Sequence, residues 1–140
     1  MLLRSSWPSG GFVDYLRQQY GLETLISLED TIDSDVELAK LNWLLHEERF
    51  KNWSAKDGIS VETAKQVVEY MKTMQEGDCY LVHCKAGADR TGLFCALFRI
   101  FIQGWPVWKA KLETIAYGHI PFKYTEIFKS IDAAVLEIKR

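Results

Sequence analysis

Cys79-Tyr80-Leu81-Val82-His83-Cys84-Lys85-Ala86-Gly87-Ala88-Asp89-Arg90-Thr91-Gly92 is the stretch that decides the fold. Residues 79–83 form a run with no polar alternation, the pattern of a central strand buried on both faces of a sheet. Gly87 marks a turn after it, and a long helix is expected from about Arg90 to Gln103, closed by Gly104. The junction between the carboxyl end of such a strand and the next helix is where α/β folds place ligands.

Working outward, the chain alternates helix and strand. Phe12, Val13, Leu16 and Tyr20 sit at helical spacing, and Gly21 ends that segment. Thr24-Leu25-Ile26-Ser27-Leu28 reads as a buried strand. The acidic stretch with Glu29, Asp30, Asp33, Asp35 and Glu37 reads as a solvated loop and helix start, and Leu41 to Leu45 as another strand. His46 to Gly58 is polar, aromatic and irregular, and reads as a surface loop. Ser60 is a suitable N-cap for a helix whose stripe is Val61, Ala64, Val67, Val68, Met71 and Met74, with Gly77 as its stop. Pro106 opens a further helix that ends near Gly118, and Ile127, Ile131, Val135 and Ile138 mark a C-terminal helix with one buried face. The expected fold is α/β: a central, mostly parallel sheet of about four strands flanked by helices. No repeat, low-complexity tract or linker divides the chain, so residues 1–140 are expected to form one domain.

Composition agrees with a soluble globular domain: 140 residues, 48% hydrophobic, 13% aromatic and 26% charged. Seventeen Lys and Arg against nineteen Asp and Glu give a net charge of −2, so nothing global points to nucleic acid. No apolar run approaches the ~20 residues that span a bilayer. The opening Met1-Leu2-Leu3-Arg4-Ser5-Ser6-Trp7-Pro8 is short and polar for a signal peptide and reads as the entrance to a domain, with room for trimmed residues upstream. Three cysteines, Cys79, Cys84 and Cys95, argue against a disulfide framework and fit a reducing compartment, the cytoplasm. No Cys/His pair has zinc-finger spacing, and neither a metal nor another cofactor is expected.

The loop from Cys84 to Arg90 meets several demands of phosphoryl chemistry at once. A thiol attacks as thiolate. The dipole and unpaired N–H groups of a helix N-terminus favour an anion, and Cys84 precedes such a terminus. Gly87 lets the backbone curl so that the amides of Lys85, Ala86, Gly87, Ala88 and Asp89 can point inward as an anion nest. Arg90 offers a planar fork for two phosphate oxygens. The Thr91 hydroxyl can donate to the sulfur, and His83 is expected to brace the loop by hydrogen bonding. The bland alternative is that Cys84 is a small buried hydrophobe.

His-Cys, five residues, then Arg-Thr-Gly resembles the signature of the cysteine-based protein tyrosine phosphatase superfamily, with Cys84, Arg90 and Thr91 in matching positions. The short chain is most similar to the compact, bacterial-type dual-specificity branch, and Arg4 to Pro8, Tyr20 to Leu28 and Gly118-His119 add weaker likeness. The resemblance implies a cysteinyl-phosphate mechanism. It also implies a general acid from a loop ahead of the preceding helix, where Asp57-Gly58-Ile59-Ser60 stands in place of an Asp-Gly-x-Pro stretch. Asp57 is thus the first choice of acid, and its bland reading is a turn residue. Asp89 is the rival, because myotubularin-like and bacterial inositol-polyphosphate phosphatases also carry Asp-Arg-Thr at that place. Glu47 and Glu48 read as solvated carboxylates.

The resemblance implies phosphotyrosine, phosphoserine or phosphothreonine in a protein as substrate. Lys85 keeps a phosphoinositide or inositol phosphate open as the alternative, unless it faces solvent. A dead phosphate-binding module would be expected to lack Cys84 or Arg90, and both are present. Cys79 reads as strand packing, with a protective disulfide to Cys84 as the alternative, and Cys95 reads as core. His46 and His119 are expected to lack neighbours that suggest catalysis. Trp43, Trp53, Trp105 and Trp108 default to aromatic core, with a site lining or a membrane contact as alternatives. Oligomeric state is not legible in the chain.

Overall fold

The structure is a computed structural model, and it describes residues 1–6, 8–28, 46–50, 53–84 and 88–138. The acidic stretch 29–37, the strand expected at 41–45, Trp43 and the loop residues Lys85, Ala86 and Gly87 lie outside the described residues. The fold is α/β, as expected, with a four-stranded parallel sheet. By contact density the chain divides into two units, Met1–Lys51 with Gln75–Gly87 and Asn52–Met74 with Ala88–Arg140.

The first unit holds the sheet. Its elements are β1 (Leu2–Ser5), α1 (Gly10–Tyr20), β2 (Leu22–Ser27), β3 (His46–Arg49) and β4 (Cys79–His83). Their spatial order is β1-β4-β2-β3, so the last strand in sequence lies between the first two. Arg4 pairs with Val82 on one side of β4, and Ile26 pairs with Val82 on the other. Every residue of β4 is buried, which is what its lack of polar alternation requires. Helix α1 starts where Ser9 Oγ accepts the Phe12 N–H at 3.1 Å. It ends at Gly21, whose φ of 68° is left-handed and whose N–H reaches the Arg17 carbonyl at 3.0 Å. Val13 and Leu16 on α1 pack with Leu22, Leu25, Cys79 and Leu81 of the sheet. Each fully buried side chain of this kind contributes about 1.5–3 kcal/mol.

Two strands correct the sequence reading. Residues 46–49 form β3 rather than loop, and Leu2–Ser5 form β1 where only a domain entrance was expected. Both lie at edges of the described sheet and neither contains a buried residue. Their pairing comes from the neighbouring strand, not from their own periodicity. Charge suits such an edge: Arg49 Nη2 lies 2.8 Å from Glu47 Oε1, two residues away on the same face, so Glu47 is an ion-pair partner rather than merely solvated.

The second unit is helical: α2 (Val61–Lys72), α3 (Asp89–Phe101), α4 (Val107–Ala116) and α5 (Glu126–Glu137). Ser60 caps α2 as expected, accepting the Thr63 N–H at 3.1 Å. Helix α2 stops at Thr73, four residues before Gly77, and Met74 falls outside it. Gly104 follows α3 with a φ of 71°, and Pro106 is the N-cap of α4. Helix α3 packs on α2, α4 and α5. Its face of Leu93, Phe94, Leu97 and Ile100 is fully buried, and Trp53 stands 6.1 Å from Phe94 between ring centroids. Trp53 is therefore core, whereas Trp108 is exposed and Trp105 sits beneath Arg99 and Lys109, at 4.6 and 4.1 Å from its ring centre. No helix among the described residues is long and apolar enough to cross a membrane.

Candidate active site

His83 ends β4 at the carboxyl edge of the sheet, between Ser5 and Ser27. Its carbonyl accepts the Leu28 N–H at 3.1 Å, extending the β2–β4 ladder by one bond. Cys84 follows directly and is 2% exposed. A buried chain end tied in this way holds the residue after it at a defined point.

Cys79, Cys84 and Cys95 are all buried, and none of them is in a disulfide. Cys79 opens β4, so about four strand rises of ~3.3 Å separate it from His83 alone. A disulfide needs Cα atoms about 4.4–6.8 Å apart. A Cys79–Cys84 bridge is thus incompatible with the extended strand, and the packing reading of Cys79 stands. Burial pushes the Cys79 thiol up, which keeps it protonated and inert. Cys95 is buried on α3, as core.

In the second unit Ala88 is the N-cap of α3 and supplies no side-chain hydrogen bond to it. The caps of α1 and α2, by contrast, are serines that bond an amide of the first turn. Asp89, Arg90 and Thr91 are the first three residues of α3. Arg90 is half-buried and Thr91 is fully buried. Five residues of chain join Cys84 to Arg90.

Asp89 has a partner that sequence reasoning missed. His119 Nδ1 lies 2.7 Å from Asp89 Oδ1, and the His119 side chain is wholly buried. Thirty residues separate the two, so no helical or strand period links them. The expectation that His119 lacks a functional neighbour is corrected here. Its one sequence signal was the glycine before it. Gly118 has a φ of 108°, and a Cβ there would stand 3.5 Å from the Ala88 Cβ. His46, in contrast, is exposed, 3.6 Å from Glu48.

Asp57 lies exposed in a turn, with its N–H bonded to Ser54 Oγ at 3.1 Å. Ser54 and Gly58 close that turn with a reciprocal pair of backbone bonds, at 2.8 and 3.2 Å. Ser130 of α5 anchors its far side, accepting the Ile59 N–H at 3.0 Å and donating to the Glu126 carbonyl at 2.7 Å. Gly58 is required at this point. Its φ is 71°, and a Cβ would overlap Ser130 Oγ and approach the Glu126 carbonyl oxygen to 2.8 Å. Gly58→Ala is expected to cost about 1–2 kcal/mol for the left-handed backbone and about 1–3 kcal/mol for overpacking. A thermal melt should show the midpoint falling by about 10 °C; a shift under 2 °C would mean that the turn does not depend on this close approach.

A model described as the tyrosine phosphatase family matches residues 39–102, which include the Cys84–Gly92 segment. The dual specificity protein phosphatase TpbA of Pseudomonas aeruginosa strain PAO1 is 40% identical over 62 residues, covering 44% of this chain and 28% of that protein. The matched stretch thus spans little more than a quarter of that relative's length. The crystal structure of P. aeruginosa TpbA superposes with a TM-score of 0.74 at 25% identity, over 96% of this chain and 80% of that one. A second TpbA structure holds pTyr, with a TM-score of 0.70 at 22% identity, over 97% and 85% of the two chains. PTPMT1 in complex with PI(5)P gives a TM-score of 0.69 at 18% identity, over 97% of this chain and 93% of that one. The core catalytic domain of a PP-IP phosphatase from S. cerevisiae gives 0.77 at 18% identity, over 94% and 78% of the two chains.

Proposed function

We propose that this chain, which belongs to the cysteine-based protein tyrosine phosphatase superfamily, is a phosphomonoester hydrolase acting through a cysteinyl-phosphate intermediate. The observation that carries the reading is the junction at Cys84. A buried cysteine directly follows the central strand, and the signature arginine and threonine lie in the first turn of a helix whose N-cap offers no side chain to its amides. The first-turn amides at a helix start suit a phosphate dianion.

In the first step the Cys84 thiolate attacks phosphorus in line. The S–P bond forms as the ester P–O bond breaks. Arg90 holds two equatorial oxygens, aided by the amides of residues 85–89, and this stabilises charge that develops in the transition state. A carboxylic acid gives its proton to the leaving oxygen. In the second step water attacks phosphorus, the carboxylate takes the water proton, and the thiolate leaves. Thr91 Oγ donates to the sulfur and eases its departure; its complete burial supports a directed hydroxyl over a solvated one. The reaction as written needs no metal ion.

Two carboxyl groups compete for the proton. Asp57 has the place that the family resemblance implies, but its exposure and turn bond to Ser54 fit the bland reading equally. The 2.7 Å contact with His119 supports Asp89. The pH–rate profiles of Asp57→Ala and Asp89→Ala separate them. The basic limb of kcat, which reports loss of the acid's proton, is expected to vanish in Asp89→Ala and to persist in Asp57→Ala, with a loss of about 10²–10⁴-fold in the former. The reverse pattern assigns the proton to Asp57.

The substrate reading is a phosphorylated tyrosine, serine or threonine in a protein, supported by the likeness to TpbA. Lys85 in the loop favours a second reading, a phosphoinositide or inositol phosphate. We place the enzyme in the cytoplasm, because a cysteine nucleophile needs reducing conditions to stay out of disulfides. Residues 1–140 are proposed to work as one catalytic domain, since no linker or low-complexity tract interrupts the chain. The test is turnover of p-nitrophenyl phosphate in the presence of a chelator, followed by a panel of phosphopeptides and phosphoinositides. No turnover of any of them would sink the enzyme reading, and a preference for phosphoinositides over every phosphopeptide would overturn the first substrate choice.

A further inference from the structure

Resting on the phosphatase reading above, we propose that His119 is a positioning residue that acts through Asp89, fixing one carboxyl oxygen so that the other faces the reaction. The His119 ring is fully buried and lies against Phe128, with ring centroids 5.0 Å apart. Its Nε2 is buried and has no hydrogen-bond partner among the described residues. Leaving a buried ring nitrogen unsatisfied is costly, and a residue kept only for its volume would be apolar. Among the described residues the ring's single hydrogen bond goes to Asp89 Oδ1, at 2.7 Å.

The backbone is shaped for that bond. Gly118 has a φ of 108°, which L side chains rarely adopt, and it adjoins Ala88, the residue before Asp89: a Cβ on Gly118 would stand in ordinary contact, 3.5 Å, with the Ala88 Cβ. The residues that precede the two partners are thus neighbours.

An ionised carboxylate only accepts hydrogen bonds, so His119 donates from Nδ1. Oδ1 can accept that bond whether Asp89 is ionised or protonated. When Asp89 carries a proton it sits on Oδ2, and from there it passes to the leaving oxygen. Asp89 returns to the acid form by taking a proton from the attacking water. A carboxyl group held by one oxygen delivers its proton from a defined direction, which is where general acid catalysis gains its rate.

Four variants and two substrates test this. His119→Phe keeps the ring and its contact with Phe128 but removes the donor. His119→Asn places an amide N–H near the position of Nδ1, and His119→Gln places it nearer Nε2. Asp89→Ala supplies the background for a double-mutant cycle. Phenyl phosphate has a poor leaving group that needs the proton, while p-nitrophenyl phosphate has a good one. We expect His119→Phe to lower kcat on phenyl phosphate about 10- to 100-fold, several-fold more than on p-nitrophenyl phosphate, with KM little changed. Asn should recover most of that loss and Gln should not. In the Asp89→Ala background His119→Phe should add nothing. Equal losses on both substrates, equal rescue by Asn and Gln, or additive losses in the cycle would each overturn the inference. Should His119→Phe fail to fold, the Asn-against-Gln comparison decides alone. Wild type no faster than Cys84→Ser overturns the phosphatase reading and this inference together; an active wild type that His119 variants leave unaltered overturns only the inference.

Discussion

Replacing Cys84 with serine is expected to slow hydrolysis of an aryl phosphate by about 10⁴- to 10⁶-fold. The hydroxyl is a weak nucleophile at neutral pH, and it lacks the ready ionisation that makes a thiol useful. The change is nearly isosteric at a site only 2% exposed, so the fold should survive and the thermal midpoint should hold. The loop amides and Arg90 remain in the variant, so phosphate binding should persist while turnover stops. Steady-state rates paired with inhibition by inorganic phosphate give both readouts. Rapid acid quench with labelled substrate should trap phosphate on the wild-type protein and none on the variant. A serine variant within tenfold of wild type would show that Cys84 is only a small buried side chain.

Arg90→Lys should bring the second large loss, about 10²- to 10³-fold in kcat, although the charge is kept. Lysine is a point charge on a flexible stem. It cannot offer two parallel N–H bonds in one plane to two phosphate oxygens. Arg90 sits in the first turn of α3, half-buried, where a helical backbone sets the direction of its side chain. In the proposed mechanism the fork serves charge that develops as the P–O bond breaks, so the loss should fall mainly on kcat. Inorganic phosphate should also bind more weakly. A lysine variant within threefold of wild type would mean that charge alone suffices and bidentate geometry is unused.

The elements that could be read from the chain are those whose cause is local. Strand β4 was legible because five consecutive residues without polar alternation suit only an interior parallel strand. The ends of α1 and α2 were marked by Gly21 and Ser60, whose backbone freedom and side-chain oxygen satisfy helix-end groups in place. The C-terminal helix followed from its apolar period, with Ile127 and Ile131 buried. The stop expected at Gly77 was wrong because Thr73 already ends α2. The edge strands were not legible. His46-Glu47-Glu48-Arg49 reads as polar surface in isolation, and only hydrogen bonds lent by β2 make it a strand. Likewise Leu2–Ser5 is a strand because β4 lies beside it.

By itself, then, the sequence determined the α/β class, the strand-loop-helix junction at 79–92 and the identity of Cys84, Arg90 and Thr91 as the residues to test. These depend on short-range spacing, which is written residue by residue. Tertiary structure alone decided three things: the insertion of β4 between β1 and β2, the pinning of the Asp57 turn to Ser130, and the pairing of Asp89 with a buried His119. Each of these joins segments far apart in the chain. Their partners are chosen by where packing brings the backbone, and no local pattern encodes that.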